Sequence, residues 1–197
     1  MDQDQIQNQK NERLSLLYEV LQSMLIAACI VFLVFAFLGN ICIVDGDSMK
    51  QTLYHGERLW VSDLFYEPEA GDIVVFQVKK TEDNSSKFLI KRVIATEGQF
   101  VKIESDGVYV SDDAEFDSSE RLNEEYLYLE RSDAIIDYYH VHGKIFEVPE
   151  GHVFVLGDNR NNSSDSRNPA IGFVDCRSIL GKVIVRFLPI SRFGAVQ

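Results

Sequence analysis

Hydrophobic and polar positions divide this chain into one long apolar stretch followed by a succession of short alternating runs. Residues 20–44 make up 25 positions without a charge, among them Met24-Leu-Ile-Ala-Ala-Cys-Ile-Val-Phe-Leu-Val-Phe-Ala-Phe-Leu38. As a helix at 1.5 Å per residue this stretch would extend about 37 Å, more than the ~30 Å hydrocarbon core of a bilayer. A cleavable leader would have a shorter apolar core followed by a small-x-small site. Gly39-Asn40-Ile41-Cys42-Ile43 offers no good site of that kind. The pattern therefore predicts a retained transmembrane anchor over 20–44, a polar segment 1–19 before it and a single larger domain, 45–197, on one side of the membrane. Charge does not orient the anchor. Lys10 and Arg13 precede it, Lys50 and Arg58 follow it closely, and the positive-inside count is a tie.

Beyond the anchor the period changes from helical to two. Runs rich in β-branched and aromatic residues, bounded by Gly, Asp and Asn, predict strands at 58–62, 72–79, 88–96, 100–104, 108–111, 144–148, 152–156 and 181–188. Many short strands with turn signals between them imply a mainly β fold, an antiparallel β-sheet domain with one N-terminal transmembrane helix. Residues 105–142 interrupt the succession and read as an insertion or cap.

Composition adds two constraints. The formal net charge of −12 repels phosphates and argues against a nucleic-acid partner. Much of that charge is local: between Glu104 and Asp137 there are twelve acidic and two basic residues, Arg121 and Arg131. The simplest reading is a solvated surface segment. Cys29, Cys42 and Cys176 form no even set for a disulfide framework, and no Cys or His pair has zinc-site spacing. His140 and His142 would share one face of a strand, which is a packing pattern more than a metal site. No metal and no cofactor is implied.

Three places break the strand pattern in ways that suit chemistry. Gly46-Asp47-Ser48-Met49-Lys50-Gln51-Thr52-Leu53 begins two residues past the apolar stretch, which sets a serine hydroxyl at the membrane surface beside a glycine that permits a tight turn. In Lys87-Phe88-Leu89-Ile90-Lys91-Arg92-Val93-Ile94-Ala95 a period of two puts Lys91 on the face of Leu89, Val93 and Ala95. An ammonium on an apolar face is desolvated and becomes a base nearer neutral pH. Arg92 points the other way and requires a carboxylate if buried. The third place, Gly157-Asp158-Asn159-Arg160-Asn161-Asn162-Ser163-Ser164-Asp165-Ser166-Arg167, fails as a calcium loop because Arg160 stands where an oxygen ligand is required. Its Asp, Arg and Ser residues suit a network of ion pairs around a reactive group. Each place read alone is also compatible with an ordinary turn, edge strand or polar loop.

Taken in order, 46–53, Gly71-Asp72-Ile73-Val74-Val75-Phe76, Lys91-Arg92-Val93-Ile94 and 157–167 resemble the bacterial type I signal peptidases, most closely the compact single-anchor form. The last segment fits that family's Gly-Asp-Asn-Arg-x-x-Ser-x-Asp-Ser-Arg pattern at every fixed position. The resemblance implies a membrane-bound serine endopeptidase that removes signal peptides from secretory preproteins after a small-x-small motif. It implies Ser48 as nucleophile and Lys91 as general base, with Ser163 orienting the lysine, Asp158 paired with Arg92, and Asp165 paired with Arg167. By position, Val44, Met49, Leu53, Leu89 and Ile90 would line shallow apolar pockets. The backbone N–H of Ser48 would serve the oxyanion, and Gly46 stands where some members carry a hydroxyl. The resemblance also orients the chain, with the N-terminus cytoplasmic and the catalytic domain extracytoplasmic, in contact with lipid and with the secretion machinery.

The sequence departs from the family at Gln51, where Pro is usual, and at Ala95 and Gly98-Gln99, where Gly and Gly-Asp are usual. These departures motivate an alternative: a catalytically divergent, signal-peptidase-like assembly factor for surface proteins. A soluble autoproteolytic regulator with a Ser-Lys dyad does not fit the anchor. A Ser-His-Asp hydrolase would have to recruit His55, His140, His142 or His152, none of which lies in a triad-like segment.

Overall fold

The computed structural model describes residues 3–37, 39–79, 86–116, 119–130 and 132–196, which fall into two units, Met1–Leu38 and Gly39–Gln197. The first is a single helix, α1 (Gln3–Phe37). Its segment Asn11–Phe32 contains an 18-residue stretch of mean hydropathy 1.9 and is long and apolar enough to cross a membrane. Residues 11–32 are exposed all round the helix.

The second unit is built from strands β1 (Asn40–Ile43), β2 (Arg58–Ser62), β3 (Ile73–Lys79), β4 (Ser86–Ala95), β5 (Phe100–Ile103), β6 (Val108–Ser111), β7 (Glu120–Arg121), β8 (Ile145–Glu147), β9 (His152–Leu156), β10 (Val174–Asp175), β11 (Ile179–Leu188) and β12 (Gly194–Ala195). The larger sheet runs β1-β2-β11-β3-β4-β9-β10, with β12 beside β11, and the smaller runs β7-β6-β5-β8. All pairings between these strands are antiparallel.

The central strands carry unbroken apolar runs because both of their faces are covered. In β3, Ile73 and Val75 join Val44, Met49, Leu53, Leu59, Val61 and Val183 in one core cluster. Val74 and Phe76, alternate residues of the same strand, join Val93, Val153, Val155 and Val174 in another. A third cluster fills the space under the smaller sheet, with Val101, Ile103, Val108, Ile135, Val141 and Phe154. Ile94 and Ala95 both belong to it, since the register of β4 against β9 shifts between Val93 and Ala95.

Two boundaries differ from the sequence reading. The apolar stretch 20–44 is not one element: α1 ends at Phe37, and 40–43 form β1, in register with β2 from Asn40↔Val61 to Ile43↔Arg58. Ile-Cys-Ile is equally apolar in a lipid-bound helix and in a strand, so composition alone does not locate the change. Gly39 marks it, because a Cβ there would come within 2.4 Å of the Val61 carbonyl oxygen and 2.6 Å of Trp60 Nε1. The acidic segment 105–142 is likewise more than a solvated cap. It contributes β6 and β7 to the smaller sheet and buries Ile135 and Val141.

Candidate active site

Ser48 sits on the turn that carries the chain from β1 back toward β2. Gly46 adopts φ +98°, the left-handed region open to a residue without Cβ, and its N–H donates to His55 Nδ1 at 3.2 Å. Past Ser48 the chain closes one helical turn, Leu53 N–H donating to the Met49 carbonyl at 2.7 Å. Met49 and Leu53 drop into the core on the inner side of that turn, which leaves Ser48 half-buried on the outer side.

Lys91 is opposite Val74 in the β3–β4 ladder and only 2% exposed. Its Nζ donates to Ser48 Oγ at 2.7 Å and to the Ile90 carbonyl at 2.9 Å. Burial pushes the ammonium down to about 8, with the carboxylates of Asp165 and Asp158 opposing part of the shift. A hydroxyl within hydrogen-bond reach of an amine that loses its proton near neutrality is the arrangement a nucleophile and its base require.

Behind this pair lies a set of buried ions. Arg92 donates from Nε and Nη2 to the two oxygens of Asp158, at 2.9 and 2.8 Å, and from Nη1 to the Gly71 carbonyl at 2.8 Å. Asp158 also accepts from Thr52 Oγ1 at 2.5 Å, which ties the strand of Lys91 to the turn of Ser48. Arg167 grips Asp165 with two bonds of 2.8 Å, and Gly157 N–H donates to the same carboxylate at 3.1 Å. Burial pushes the Asp165 carboxyl up, but the Arg167 guanidinium and these hydrogen bonds outweigh it and the net shift is down. The loop reaches the serine turn directly. Asn159 N–H donates to the Ser48 carbonyl at 3.0 Å, and Asn159 Nδ2 donates to the Asp47 carbonyl at 3.1 Å. A Cβ on Gly157 would come within 2.6 Å of the Ser48 carbonyl oxygen.

A cavity of about 290 Å³ opens beside Ser48 and Lys91, walled by Val44, Met49, Leu89 and Ile90. Leu53, expected among them, does not reach it. With 0% exposure it belongs wholly to the core, because the helical turn after Ser48 points it inward. Cys42, Ile43 and Phe88 line the cavity instead. Cys42 and Ile43 reach it because 40–43 form β1, a strand beside Val44, and not the end of the anchor helix. Ser163, expected to bond the lysine, differs too: the lysine's bonds go to Ser48 and Ile90, and the Ser163 hydroxyl helps hold the Asp165 carboxyl down. A larger hollow of about 920 Å³ between Tyr54–Arg58 and Leu188–Arg192 contains no candidate nucleophile–base pair. His55 serves the Gly46 backbone, and His152 Nδ1 lies 2.8 Å from the Glu150 carbonyl oxygen, so neither is placed to act on Ser48.

Sequence analysis also missed the support given by the acidic segment. Arg160, fully buried, forms a two-pronged pair with Glu124. Tyr126 lies over Arg92, with the guanidinium carbon 3.8 Å from the ring centroid. A buried arginine in the motif demands a carboxylate from somewhere, and that is the only signal in the sequence that bears on the choice.

The chain belongs to the signal peptidase family, peptidase S26, whose sequence profile matches residues 17–188. It is accordingly a serine peptidase, a hydrolase of peptide bonds. Signal peptidase I P of Bacillus subtilis subsp. natto is 36% identical over 179 residues, covering 87% of this chain and 89% of the relative. A probable signal peptidase I-1 of Synechocystis is 34% identical, over 87% of this chain and 82% of the relative. Signal peptidase IB of Staphylococcus aureus is 34% identical, over 90% and 92%. A crystal structure of a signal peptidase I from Enterococcus faecalis V583 is 30% identical, with a TM-score of 0.38, over 60% of this chain and 97% of that one.

Proposed function

We propose that this protein is a membrane-bound endopeptidase that removes N-terminal signal peptides from secretory preproteins after a small-x-small motif, with Ser48 and Lys91 as a catalytic dyad. The observation that carries the reading is the 2.7 Å contact between Ser48 Oγ and a buried Lys91 amine, at the wall of an apolar cavity. Neutral Lys91 accepts the Ser48 hydroxyl proton as Oγ attacks the scissile carbonyl carbon. The oxyanion that develops is met by the Ser48 N–H. Collapse breaks the C–N bond, the leaving amine takes the proton from the Lys91 ammonium, and the signal peptide remains esterified to Ser48. A water then attacks the ester carbonyl while Lys91 takes its proton and returns it to Ser48 Oγ, which releases the signal peptide as a carboxylic acid.

The Val44, Met49, Leu89 and Ile90 walls of the cavity suit uncharged side chains next to the cut. Ser48 follows α1 closely along the chain, which suits a substrate cut just past an apolar segment. In this reading residues 1–19 are cytoplasmic, and 45–197 work outside the membrane, against lipid and beside the secretion machinery. The test is cleavage of a preprotein bearing an Ala-x-Ala site by the full chain in detergent micelles. Wild type should cleave at that site, and Ser48→Ala and Lys91→Ala should not. A folded wild-type chain inert on several such preproteins, or an active Ser48→Ala variant, would overturn the proposal. Inertness would favour the assembly-factor alternative.

A further inference from the structure

The nucleophile and the base come from different parts of the chain, and a stack of buried contacts behind them fixes their separation. Asp158 joins Arg92, the neighbour of Lys91, to Thr52, four residues past Ser48. Asn159 holds the carbonyls of Asp47 and Ser48. Both residues lie on the loop that starts at Gly157, and that loop is held in turn by the acidic segment. Tyr128 N–H donates to the Asp158 carbonyl at 2.9 Å, and Arg160 N–H donates back to the Tyr128 carbonyl at 3.1 Å. Arg160, closed in by Glu124, donates from Nε to the Gly157 carbonyl at 3.1 Å. Tyr126 covers the Arg92 guanidinium with its ring and donates its hydroxyl to Glu124 at 3.1 Å. The side chains of Glu124 and Arg160 are 3% and 1% exposed, so neither charge has water as a substitute partner.

We infer that Glu124 and Tyr126, which lie outside every motif of the sequence, are positioning residues that act through Arg160 and Arg92 to hold the Gly157–Asn159 loop, and with it Ser48, in register with Lys91. The inference rests on the dyad reading given above. Glu124 neutralises the arginine that pins the start of the loop. Tyr126 closes the outer face of the Arg92–Asp158 pair, which keeps that pair dry and its geometry narrow. Neither residue touches the cavity or the reacting atoms. Their contribution is to keep the hydroxyl within attack range of its base, where misplacement by an ångström costs on the order of 100-fold.

The inference predicts a defect in turnover with substrate binding preserved. In the full chain in micelles, Glu124→Gln and Tyr126→Leu should each lower kcat about 10- to 100-fold with KM within about twofold of wild type. Water admitted behind the loop should also move the acid limb of the kcat/KM profile to higher pH. Glu125→Gln, the same charge change on the exposed neighbour, should leave both parameters unchanged. Trp60 fluorescence reports the folded fraction of each preparation, and Tyr126→Leu decides the matter if Glu124→Gln does not fold. Either variant folded with wild-type kcat, or a loss of activity that follows only the unfolded fraction, overturns the inference while leaving the dyad intact. Failure of wild type to cleave overturns the dyad reading itself.

Discussion

Lys91→Met isolates the energetic consequence of burying an amine for catalysis. Lys91 is 2% exposed and its ammonium is pushed from 10.5 down to about 8. A lysine at 10.5 is neutral in about 0.03% of molecules at pH 7, whereas one at about 8 is neutral in about 10%, a gain of about 300-fold in usable base. The same shift weakens the fold. Between pH 8 and 10.5 the unfolded chain binds more protons at this site than the folded one, so stability rises with pH through that window. Below pH 8 the full cost is present, about 3 kcal/mol at 1.36 kcal/mol per unit. Methionine fills similar space without a charge, so Lys91→Met should abolish cleavage and remove this pH dependence. Urea unfolding of the full chain in nonionic micelles, followed by Trp60 fluorescence at pH 7 and 10.5, measures it. The stability of the variant relative to wild type should be about 3 kcal/mol greater at pH 7 than at pH 10.5. In parallel, kcat/KM of wild type should climb tenfold per pH unit up to about 8 and then level. A stability difference that is flat across the window, or an acid limb centred near 10, would refute the assignment of Lys91 as a desolvated base.

Two further variants probe the frame around Ser48 and Lys91. Asp158→Ala leaves Arg92 buried without its carboxylate, and the loss should be about 3–5 kcal/mol, read as a fall of roughly 10 °C in the melting midpoint; a midpoint within 2 °C of wild type, on the order of 1 kcal/mol, would mean the pair contributes little. Gly157→Ala would push a methyl to 2.2 Å from Ser163 Oγ and 2.6 Å from the Ser48 carbonyl oxygen, so preprotein cleavage should fall about 100-fold. Gly194→Ala, which meets nothing within 4 Å, should cleave like wild type, and equal rates for the two alanine variants would refute the steric argument.

The strands and the principal chemical groups could be read without coordinates because their signals are local. A short run of β-branched and aromatic residues such as Ile73-Val74-Val75-Phe76 reads as a strand, and 157–167 carries its pattern within eleven residues. Desolvation of Lys91 was also legible, since a period of two set it among apolar neighbours. What the sequence left open depends on which distant segments meet. The break between α1 and β1 is set by pairing with β2, which residues 20–44 do not encode. Leu53 is a core residue instead of a pocket wall because one helical turn after Ser48 rotates it inward. The acidic segment looked solvated because charge density is all its composition conveys. Two of its carboxylates nevertheless bond the 157–167 loop: Glu124 holds Arg160 across 36 positions, and Glu130 accepts from Asn159 across 29. Sequence determined which groups could react and which had to be buried. Tertiary structure decided their partners, because a buried charge must be neutralised by whatever carboxylate the fold brings alongside it, at any separation along the chain.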